Sequence, residues 1–202
     1  MKRLVYIALF STVFLIGCKQ QIEEPEMKEN ELGAAEMDEQ EVHAEVKQLE
    51  VELINEDGVG VGVAHISEDA DGVHIALDAH HLKPGVHGYH IHEHGLCEPP
   101  TFESAGGHFN PTNKQHGFDH PEGPHAGDME NIEVKEDGTV KVTVVNKAVT
   151  LKKNEANSLF QKEGTSLMIH AKPDDYVSQP AGDAGDRIVC GVISQPEKEA
   201  KK

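Results

Sequence analysis

Half of the histidines in this chain lie within one stretch of 41 residues, residues 88–128. The stretch opens with an alternation in which Tyr89 and Ile91 are apolar and the next residue in each case is a histidine. A period of two predicts a β-strand, in which residues i and i+2 point to the same face about 6.5 Å apart. We therefore expect His90 and His92 to project together, close enough to bind one ion. The alternative is a polar strand face that happens to contain histidine.

The rest of this stretch has a different composition and carries further metal-binding residue types. It is rich in Gly, Pro and Asn, which disfavour regular helix and strand. An irregular loop of about 30 residues in a compact domain usually has a function or is disordered, and a bound metal would order it. Three imidazoles and a carboxylate match a closed tetrahedral zinc site, whereas imidazole ligands alone suit copper as well as zinc. The candidate ligands here are His108, His116, His125 and Asp128.

Short runs of alternating apolar residues recur through residues 45–194 and predict an all-β domain. Val73, Ile75 and Leu77, for example, alternate with polar or small residues. The turn sequence Glu-Asp-Gly occurs twice between such runs. A segment of about 150 residues is long enough to bury a hydrophobic core as one domain. This pattern indicates an eight-stranded Greek-key sandwich or barrel with two long functional loops.

Four segments of this domain resemble the copper/zinc superoxide dismutase family. They are GYHIHEHG, SAGGHFNP, residues 116–128 and GDAGDRIVCGVI, and they follow one another in the order and spacing of that family. The resemblance extends over residues 45–194. It implies four ligands for each of two metal ions, with one histidine shared between them. The implied copper ligands are His90, His92, His108 and His170, and the implied zinc ligands are His108, His116, His125 and Asp128.

Two further residues acquire a role from the same resemblance. Asp174 corresponds to a carboxylate that links one copper and one zinc ligand, and Arg187 corresponds to the catalytic arginine beside copper. A turn residue is the alternative for Asp174, and a surface ion pair with a neighbouring aspartate is the alternative for Arg187. The loop between His170 and Arg187 is short, as in bacterial members, and its acidic residues leave open whether it guides the substrate. His94 and His120 receive no role.

The resemblance implies an enzyme that converts superoxide to dioxygen and hydrogen peroxide at a copper centre with a structural zinc. The alternative is a non-enzymatic envelope module of the same fold that binds or buffers copper. A degenerate member would be expected to lack copper ligands, whereas this sequence retains all four of the implied set. An adhesive sandwich with incidental histidines would leave the ligand spacing unexplained. The sequence does not indicate an oligomeric state.

The N-terminus predicts export and attachment to a membrane. Lys2 and Arg3 precede 14 uncharged residues, which are too few for a spanning helix and fit a signal peptide over residues 1–17. The sequence Leu-Ile-Gly before Cys18 resembles a bacterial lipobox, in which the cysteine is lipidated and becomes the mature N-terminus. Residues 18–44 would then form a lipidated, acidic tether. We expect the domain to lie on the extracytoplasmic face of the cell membrane and residues 195–202 to form a disordered tail.

The cysteine count is consistent with export. Lipidation of Cys18 leaves Cys97 and Cys190, an even pair for one disulfide in an oxidising compartment. Two free thiols are the alternative. The bridge would connect the long metal-binding loop to the last strand and would contribute about 4–5 kcal/mol of stability in the chain-entropy model.

The net charge argues against one class of partner and limits how an anionic substrate could be attracted. The chain has 18 basic and 36 acidic residues, a net charge of −18, which becomes −20 (16 minus 36) without residues 1–17. This balance argues against nucleic-acid binding, which requires cationic patches. It also opposes attraction of an anion such as superoxide by the molecule as a whole. Any electrostatic guidance of the substrate must therefore be local.

Overall fold

A computed structural model describes residues 48–197, and this part of the chain is built from β-strands. Nine strands and one 3-10 turn, η1, follow in order along this described part of the chain. They are β1 (Leu49–Asn55), β2 (Gly60–Asp69), β3 (Gly72–Ala79), β4 (Gly85–His87), β5 (Tyr89–His92), η1 (Glu103–Ala105), β6 (Ile132–Val134), β7 (Val140–Asn146), β8 (Thr165–His170) and β9 (Arg187–Ser194). The all-β prediction is confirmed. Only Gly88 separates β4 from β5, so the nine strands occupy eight continuous stretches of chain.

The alternation in the sequence corresponds to the two faces of the strands. In β3, Val73, Ile75 and Leu77 are fully buried, while the residues between them are at least partly exposed or lie on the opposite face. This is the pattern of an antiparallel sheet with one face in the core and one toward solvent. The β5 strand differs because all four of its residues are buried. Its polar face must therefore be covered by other parts of the protein.

Seven strands form one curled antiparallel sheet in the order β5-β8-β9-β1-β2-β3-β7. The remaining two, β4 and β6, pair with each other. Because β4 leads into the edge strand β5 and β6 precedes the opposite edge strand β7, this pair connects the two edges of the curled sheet. The arrangement limits exposed strand edges, which otherwise promote aggregation. A continuous core of Val, Ile, Leu and Ala side chains from both halves of the sheet fills the interior.

Two long connections carry the predicted functional residues. Residues 93–131 join β5 to β6, and residues 171–186 join β8 to β9. A third connection, residues 147–164, joins β7 to β8 and contains none of the predicted site residues. The first two connections start at β5 and β8, which are hydrogen-bonded neighbours. Because the pairing is antiparallel, with Tyr89 opposite Ile169 and His92 opposite Ser166, the two functional loops start at opposite ends of this strand pair. Both loops must therefore fold over the pair to bring their side chains together.

The predictions for the N-terminal region lie outside the described residues. These are the signal peptide, lipidation of Cys18 and the acidic tether of residues 18–44. The predicted tail is described as far as residue 197, where the Glu197 amide donates to the Lys162 carbonyl at 2.8 Å. Within residues 48–197, no helix has the length and apolar character needed to cross a membrane.

Candidate metal centre

The first histidine cluster assembles on the buried polar face of β5. His90 and His92 both project from this face, as the alternation predicted, while Tyr89 and Ile91 enter the core. His170 at the end of β8 and His108 from the long loop complete the group. The ligand atoms of the four buried histidines all lie within 4.8 Å of one another. The Nε2 atoms of His92 and His170 are 3.4 Å apart.

Each strand-borne histidine of this cluster is oriented by an acceptor on its outer nitrogen. His92 Nδ1 donates to the Gly106 carbonyl at 3.0 Å, and His170 Nδ1 donates to the Gly185 carbonyl at 3.3 Å. His90 Nε2 donates to the Asp174 carboxylate at 2.7 Å. The other nitrogen of each ring therefore faces the centre of the cluster. Hydrogen bonds of this kind fix the tautomer and ring orientation of metal-binding imidazoles.

The second cluster surrounds the carboxylate of Asp128. One of its oxygens, Oδ1, lies 2.8, 3.1 and 3.2 Å from the Nδ1 atoms of His108, His116 and His125. The other oxygen accepts the backbone N–H groups of Gly117 and His125, each at 2.9 Å. Ligands of a tetrahedral zinc ion at about 2.0 Å are separated by about 3.3 Å from one another. The observed separations are close to that value, so the four residues can surround one tetrahedral ion.

His108 belongs to both clusters. Its Nδ1 points to Asp128 in the second cluster, while its Nε2 is buried without a hydrogen-bond partner. Its ring lies against the ring of His90 in the first cluster, with a centroid separation of 4.0 Å. The imidazole of His108 can therefore present one nitrogen to each of two metal ions, as the sequence resemblance implied.

Several ring nitrogens in the two clusters are buried without a hydrogen-bond partner, as expected for residues that bind metal ions. Among residues 48–197, four buried imidazole nitrogens have no hydrogen-bond partner, and every one belongs to a clustered histidine: His90 Nδ1, His108 Nε2, His116 Nδ1 and His125 Nδ1. A buried polar atom without a partner costs about 1–3 kcal/mol. Metal ions in the two clusters would satisfy these atoms. The all-imidazole set fits copper, and the set of three imidazoles and one carboxylate fits zinc.

Burial keeps three ligands of the first cluster, His92, His108 and His170, in the neutral form that a metal requires. Loss of solvent, together with the neighbouring His90, lowers the pKa of His108 to about 4 and that of His170 to about 3. The pKa of His92 is lowered for the same main reason, with His108 and His170 adding to the effect. Neutral imidazoles present a free lone pair at pH 7. The first cluster can therefore accept a metal ion without first losing protons from these three rings.

The second cluster is electrostatically different because two carboxylates face it. Although burial opposes ionisation, the hydrogen bond from His108 and the close rings of His116 and His125 hold the pKa of Asp128 well below its usual range. Burial also opposes protonation of His116, but Asp128 and Asp174 outweigh that effect and raise its pKa to about 9. The metal-free second cluster therefore carries a proton on His116 at pH 7. Binding of a cation must displace this proton, and the new charge replaces the one that is lost.

Asp174 links the two clusters, as the resemblance implied. Its Oδ2 accepts from His90 Nε2 at 2.7 Å, and its Oδ1 accepts from His116 Nε2 at 3.0 Å. The side chain is buried, and the backbone around it is held by Asn131. Gly182 packs directly on this carboxylate at φ +69°, where a Cβ atom would overlap both Asp174 and His116. The absence of a side chain at position 182 is therefore necessary for the contact between the clusters.

Arg187 is fixed by backbone carbonyls. Its guanidinium donates to the carbonyls of Phe102 and Gly106, each at 2.7 Å. Arg187 makes no ion pair within residues 48–197, which excludes there the predicted alternative of a pair with Asp183 or Asp186. Partial burial lowers its pKa, with nearby Glu103 acting in the opposite direction. Because the Gly106 carbonyl also accepts from His92, one peptide group positions both the arginine and a ligand of the first cluster.

The predicted disulfide is present. Cys97 and Cys190 are bonded, with a Cα–Cα separation of 5.7 Å. The bridge ties the loop before η1 to β9, and Cys190 packs there with Phe102, Ala105 and Met168. These contacts hold the loop whose carbonyls orient Arg187 and His92.

A cleft of about 420 Å³ borders the first cluster at His170. Its other walls come from residues 178–185 of the loop between β8 and β9. Asp183 contributes the one acidic side chain of the lining. The cleft is large enough for a small anion to approach the ring of His170, and its lining contains no lysine or arginine.

The structure also identifies supporting residues that the sequence did not single out. His87 is buried, and its two nitrogens lie 2.7 Å from the His170 carbonyl and 2.8 Å from the Lys83 carbonyl. Gln179 holds His116 by accepting from its backbone N–H and donating to its carbonyl, both at 2.9 Å. The contact between His87 and His170 spans 83 residues of sequence, and the contacts between Gln179 and His116 span 63. No sequence motif predicts contacts at such separations.

His94 and His120 lie outside both clusters, in agreement with their lack of an assigned role. His94 Nδ1 donates to the Ser104 carbonyl at 3.3 Å, and His120 Nδ1 accepts from the Glu122 N–H at 3.1 Å. Both are partly exposed. They therefore act in local loop structure rather than in metal binding.

Comparison with known proteins places these clusters in a family context. A family model described as copper/zinc superoxide dismutase (SODC) matches residues 61–193. The chain is 57% identical to Cu-Zn superoxide dismutase 2 of Aquifex aeolicus over 143 residues, which cover 70% of this chain and 84% of that protein. It is 38% identical to the superoxide dismutase-like protein YojM of Bacillus subtilis over 195 residues, which cover 96% of each chain.

Solved structures agree with these sequence similarities. The crystal structure of a SOD-like protein from Bacillus subtilis has a TM-score of 0.69 at 44% identity, and the match covers 71% of this chain and 97% of that one. The Cu/Zn superoxide dismutase from Brucella abortus has a TM-score of 0.60 at 34% identity, with 73% of this chain and 99% of that one covered. The family match spans both histidine clusters and Arg187.

Proposed function

Because this chain belongs to the copper/zinc superoxide dismutase family, whose members use copper and zinc, we propose that its two histidine clusters form a dismutase centre. The reaction converts two superoxide ions and two protons to one dioxygen and one hydrogen peroxide. The observation that carries the proposal is His108, which offers one nitrogen to a complete four-histidine cluster and the other to the cluster around Asp128. In this assignment, His90, His92, His108 and His170 bind copper, and His108, His116, His125 and Asp128 bind zinc.

Copper bound in the first cluster would supply the one-electron chemistry, and zinc in the second would hold His108 in place. The residues contribute orientation and proton handling. His108 keeps Nδ1 against the second cluster, so Nε2 is the atom at which this ring can take up or release a proton. The hydrogen bonds from His92 and His170 to backbone carbonyls keep their rings in one orientation throughout. The protein thus supports the redox cycle with little movement of its own.

Arg187 is the residue that we assign to substrate attraction. The chain is strongly acidic, so a fixed guanidinium near the first cluster is a local exception in the electrostatic field. Its two hydrogen bonds to carbonyl groups neutralise no charge, and its positive charge stays available to an anion. A planar guanidinium also offers more than one N–H donor to a small oxyanion. This favours superoxide as the substrate over a neutral molecule.

A second candidate function is copper binding or buffering without catalysis. The observation that favours it is the 38% identity to a protein named superoxide dismutase-like over nearly the whole chain. The two functions differ in one measurable property, the rate of superoxide decay per bound copper ion. Pulse radiolysis should therefore compare protein that contains copper and zinc with protein that contains zinc alone. The enzyme predicts a large, copper-dependent acceleration, whereas equal decay rates would favour the buffering function.

We also propose that the protein is exported and anchored on the extracytoplasmic face of the cell membrane through lipidated Cys18. The lipobox-like sequence before Cys18 and the acidic composition of residues 18–44 support this location. The Cys97–Cys190 disulfide is in keeping with an oxidising compartment. Stable attachment requires at least two acyl chains, and in this proposal Cys18 carries them. Cys18→Ser should therefore release the protein from membranes or block its processing. The control variant Gln20→Ala should partition and be cleaved as the wild type is. Membrane partitioning and cleavage of Cys18→Ser that match those of the wild type would disprove the anchor.

A further inference from the structure

Two histidines outside both clusters meet at the surface just after β3. The side chains of His80 and His81 are exposed, and their Nδ1 atoms lie 3.0 Å apart. The rings are nearly perpendicular, at 84°, with centroids 4.5 Å apart. Two ring nitrogens that face each other at this distance can share one proton or bind one cation between them. The pair shares no residue with the proposed copper and zinc sites.

The separation of these nitrogens fits neighbouring ligands of one metal ion. With metal–nitrogen bonds of about 2.0 Å, two ligands are about 2.8 Å apart at a right angle and about 3.3 Å apart at a tetrahedral angle. The observed 3.0 Å lies between these values. We propose that His80 and His81 form a third, surface metal site that chelates a divalent transition-metal ion such as Cu²⁺, Ni²⁺ or Zn²⁺, with water completing the coordination. Imidazole ligands favour these ions, and Cu²⁺ binds most strongly in the usual order.

The backbone on both sides of the pair is already fixed. The His80 N–H donates to the Val61 carbonyl at 2.8 Å, and the Leu82 N–H donates to the Gly138 carbonyl at 3.1 Å. The Leu82 side chain is buried in the core. His81 has a left-handed backbone conformation, with φ 61°, which turns its ring toward His80. Because this segment is held in place, binding of an ion orders two side chains rather than a loop.

The electrostatic surroundings also favour a cation over an anion at this site. The net charge of the chain is −18, which raises the local concentration of cations at its surface. The one close acid on the same strand, Asp78, is paired with Lys141 at 2.8 Å and is not committed to the histidines. The site is therefore a two-imidazole chelate, and we expect it to bind ions more weakly and exchange them faster than the buried clusters.

The test uses the full chain with copper and zinc already bound in the two clusters. Equilibrium dialysis against low micromolar Cu²⁺, followed by mass-spectrometric metal analysis, measures any additional copper. The difference between the electron paramagnetic resonance spectra recorded before and after dialysis reports the number of nitrogen ligands on that copper. The test variant is His80→Gln with His81→Asn, because asparagine tolerates the left-handed conformation at position 81. The control is His65→Gln with His74→Asn, since His74 is a surface histidine that faces a carboxylate, Asp69, at 2.8 Å.

The wild type and the control should bind one additional copper ion with two nitrogen ligands. The test variant should bind this ion at least about tenfold more weakly, because both imidazole ligands of the chelate have been removed. If the wild type binds no additional copper, the two rings only share a proton and the proposal is wrong. If the test variant and the wild type bind additional copper equally well, the ion is held elsewhere and the proposal is also wrong. Circular dichroism of both variants verifies that the β-fold is retained.

Discussion

Substitution of Asp174 by asparagine tests how one carboxylate supports two metal sites. Its Oδ1 accepts from His116 and also from the Tyr176 N–H, whereas its Oδ2 accepts from His90 alone, at 2.7 Å. In Asp174→Asn, the remaining oxygen should stay at the Oδ1 position, where two donors converge. The new amide NH₂ group then faces the Nε2–H of His90. Two donors cannot form a hydrogen bond, so His90 must move or transfer its proton to Nδ1.

Either response affects the nitrogen of His90 that faces the first cluster. Removal of a hydrogen-bond partner from a metal-binding histidine typically weakens metal binding by about 10- to 100-fold, or about 1.4–2.7 kcal/mol. We expect a loss of this size for copper. Zinc should be affected less, because His116 keeps its acceptor. The loss of the negative charge of Asp174 should add a smaller reduction for both metals.

Competition with a chelator, combined with mass-spectrometric metal analysis, measures both affinities. Asp175→Asn is the matched control, because this exposed neighbour accepts only from residues of its own turn, the N–H groups of Val177 and Ser178 and the Ser178 hydroxyl. The control should bind both metals as the wild type does. The reasoning is refuted if Asp174→Asn retains wild-type copper affinity, or if Asp175→Asn loses as much copper.

Three further predictions follow from groups described above. Tyr89→Phe should raise the free energy of unfolding by about 1 kcal/mol in chemical denaturation, because the fully buried Tyr89 hydroxyl has no hydrogen-bond partner. The control Tyr176→Phe should lower the free energy of unfolding, because it removes the acceptor of the Asn131 backbone N–H. Metal-free protein should lose thermal stability as the pH falls from about 6.5 to about 4. Because the pKa values of His108 and His170 are lowered in the folded state, the unfolded chain binds more protons in this pH window, and His108 alone should cost up to about 3 kcal/mol of stability. A melting temperature that does not change with pH would contradict this. Arg187→Glu should slow superoxide decay more than Arg187→Ala at equal copper content, and added salt should slow superoxide decay by the wild type. Equal rates for all three proteins would show that Arg187 does not attract the substrate.

Much of the fold and the identity of the cluster residues could be predicted from the sequence. Period-two alternation in β3 and β5 is a local property, because it depends only on which face of a strand each residue occupies. The disulfide partners followed from a cysteine count. The two ligand sets came from segment order and spacing, and the geometry brings both sets together. The prediction of eight strands differs from the nine observed within residues 48–197 only because Gly88 interrupts one stretch, where its N–H donates to the Lys172 carbonyl.

The supporting contacts could not be predicted because they depend on how the two long loops fold over the sheet. Gly182 lies against Asp174, and Gln179 holds His116, although glycine and glutamine in a loop carry no sequence signal for such roles. His87 differs from the clustered histidines because both of its ring nitrogens contact carbonyl oxygens, which leaves neither nitrogen for a metal ion. Such roles are determined by tertiary structure, whereas strand patterns are encoded locally and the disulfide, although it spans 93 residues, follows from the number of cysteines.

In the proposed function, the four-histidine cluster is a redox site and not only a metal store. His170 is the residue of choice for this test, because it belongs to the first cluster alone, whereas His108 belongs to both. The decisive measurement is superoxide decay by pulse radiolysis, with copper and zinc quantified in the same samples, for wild type, His170→Ala and His94→Ala. We predict that His170→Ala loses dismutation while zinc remains bound, and that His94→Ala behaves as the wild type. A copper-loaded wild type that is no faster than His170→Ala would contradict the assignment as a dismutase.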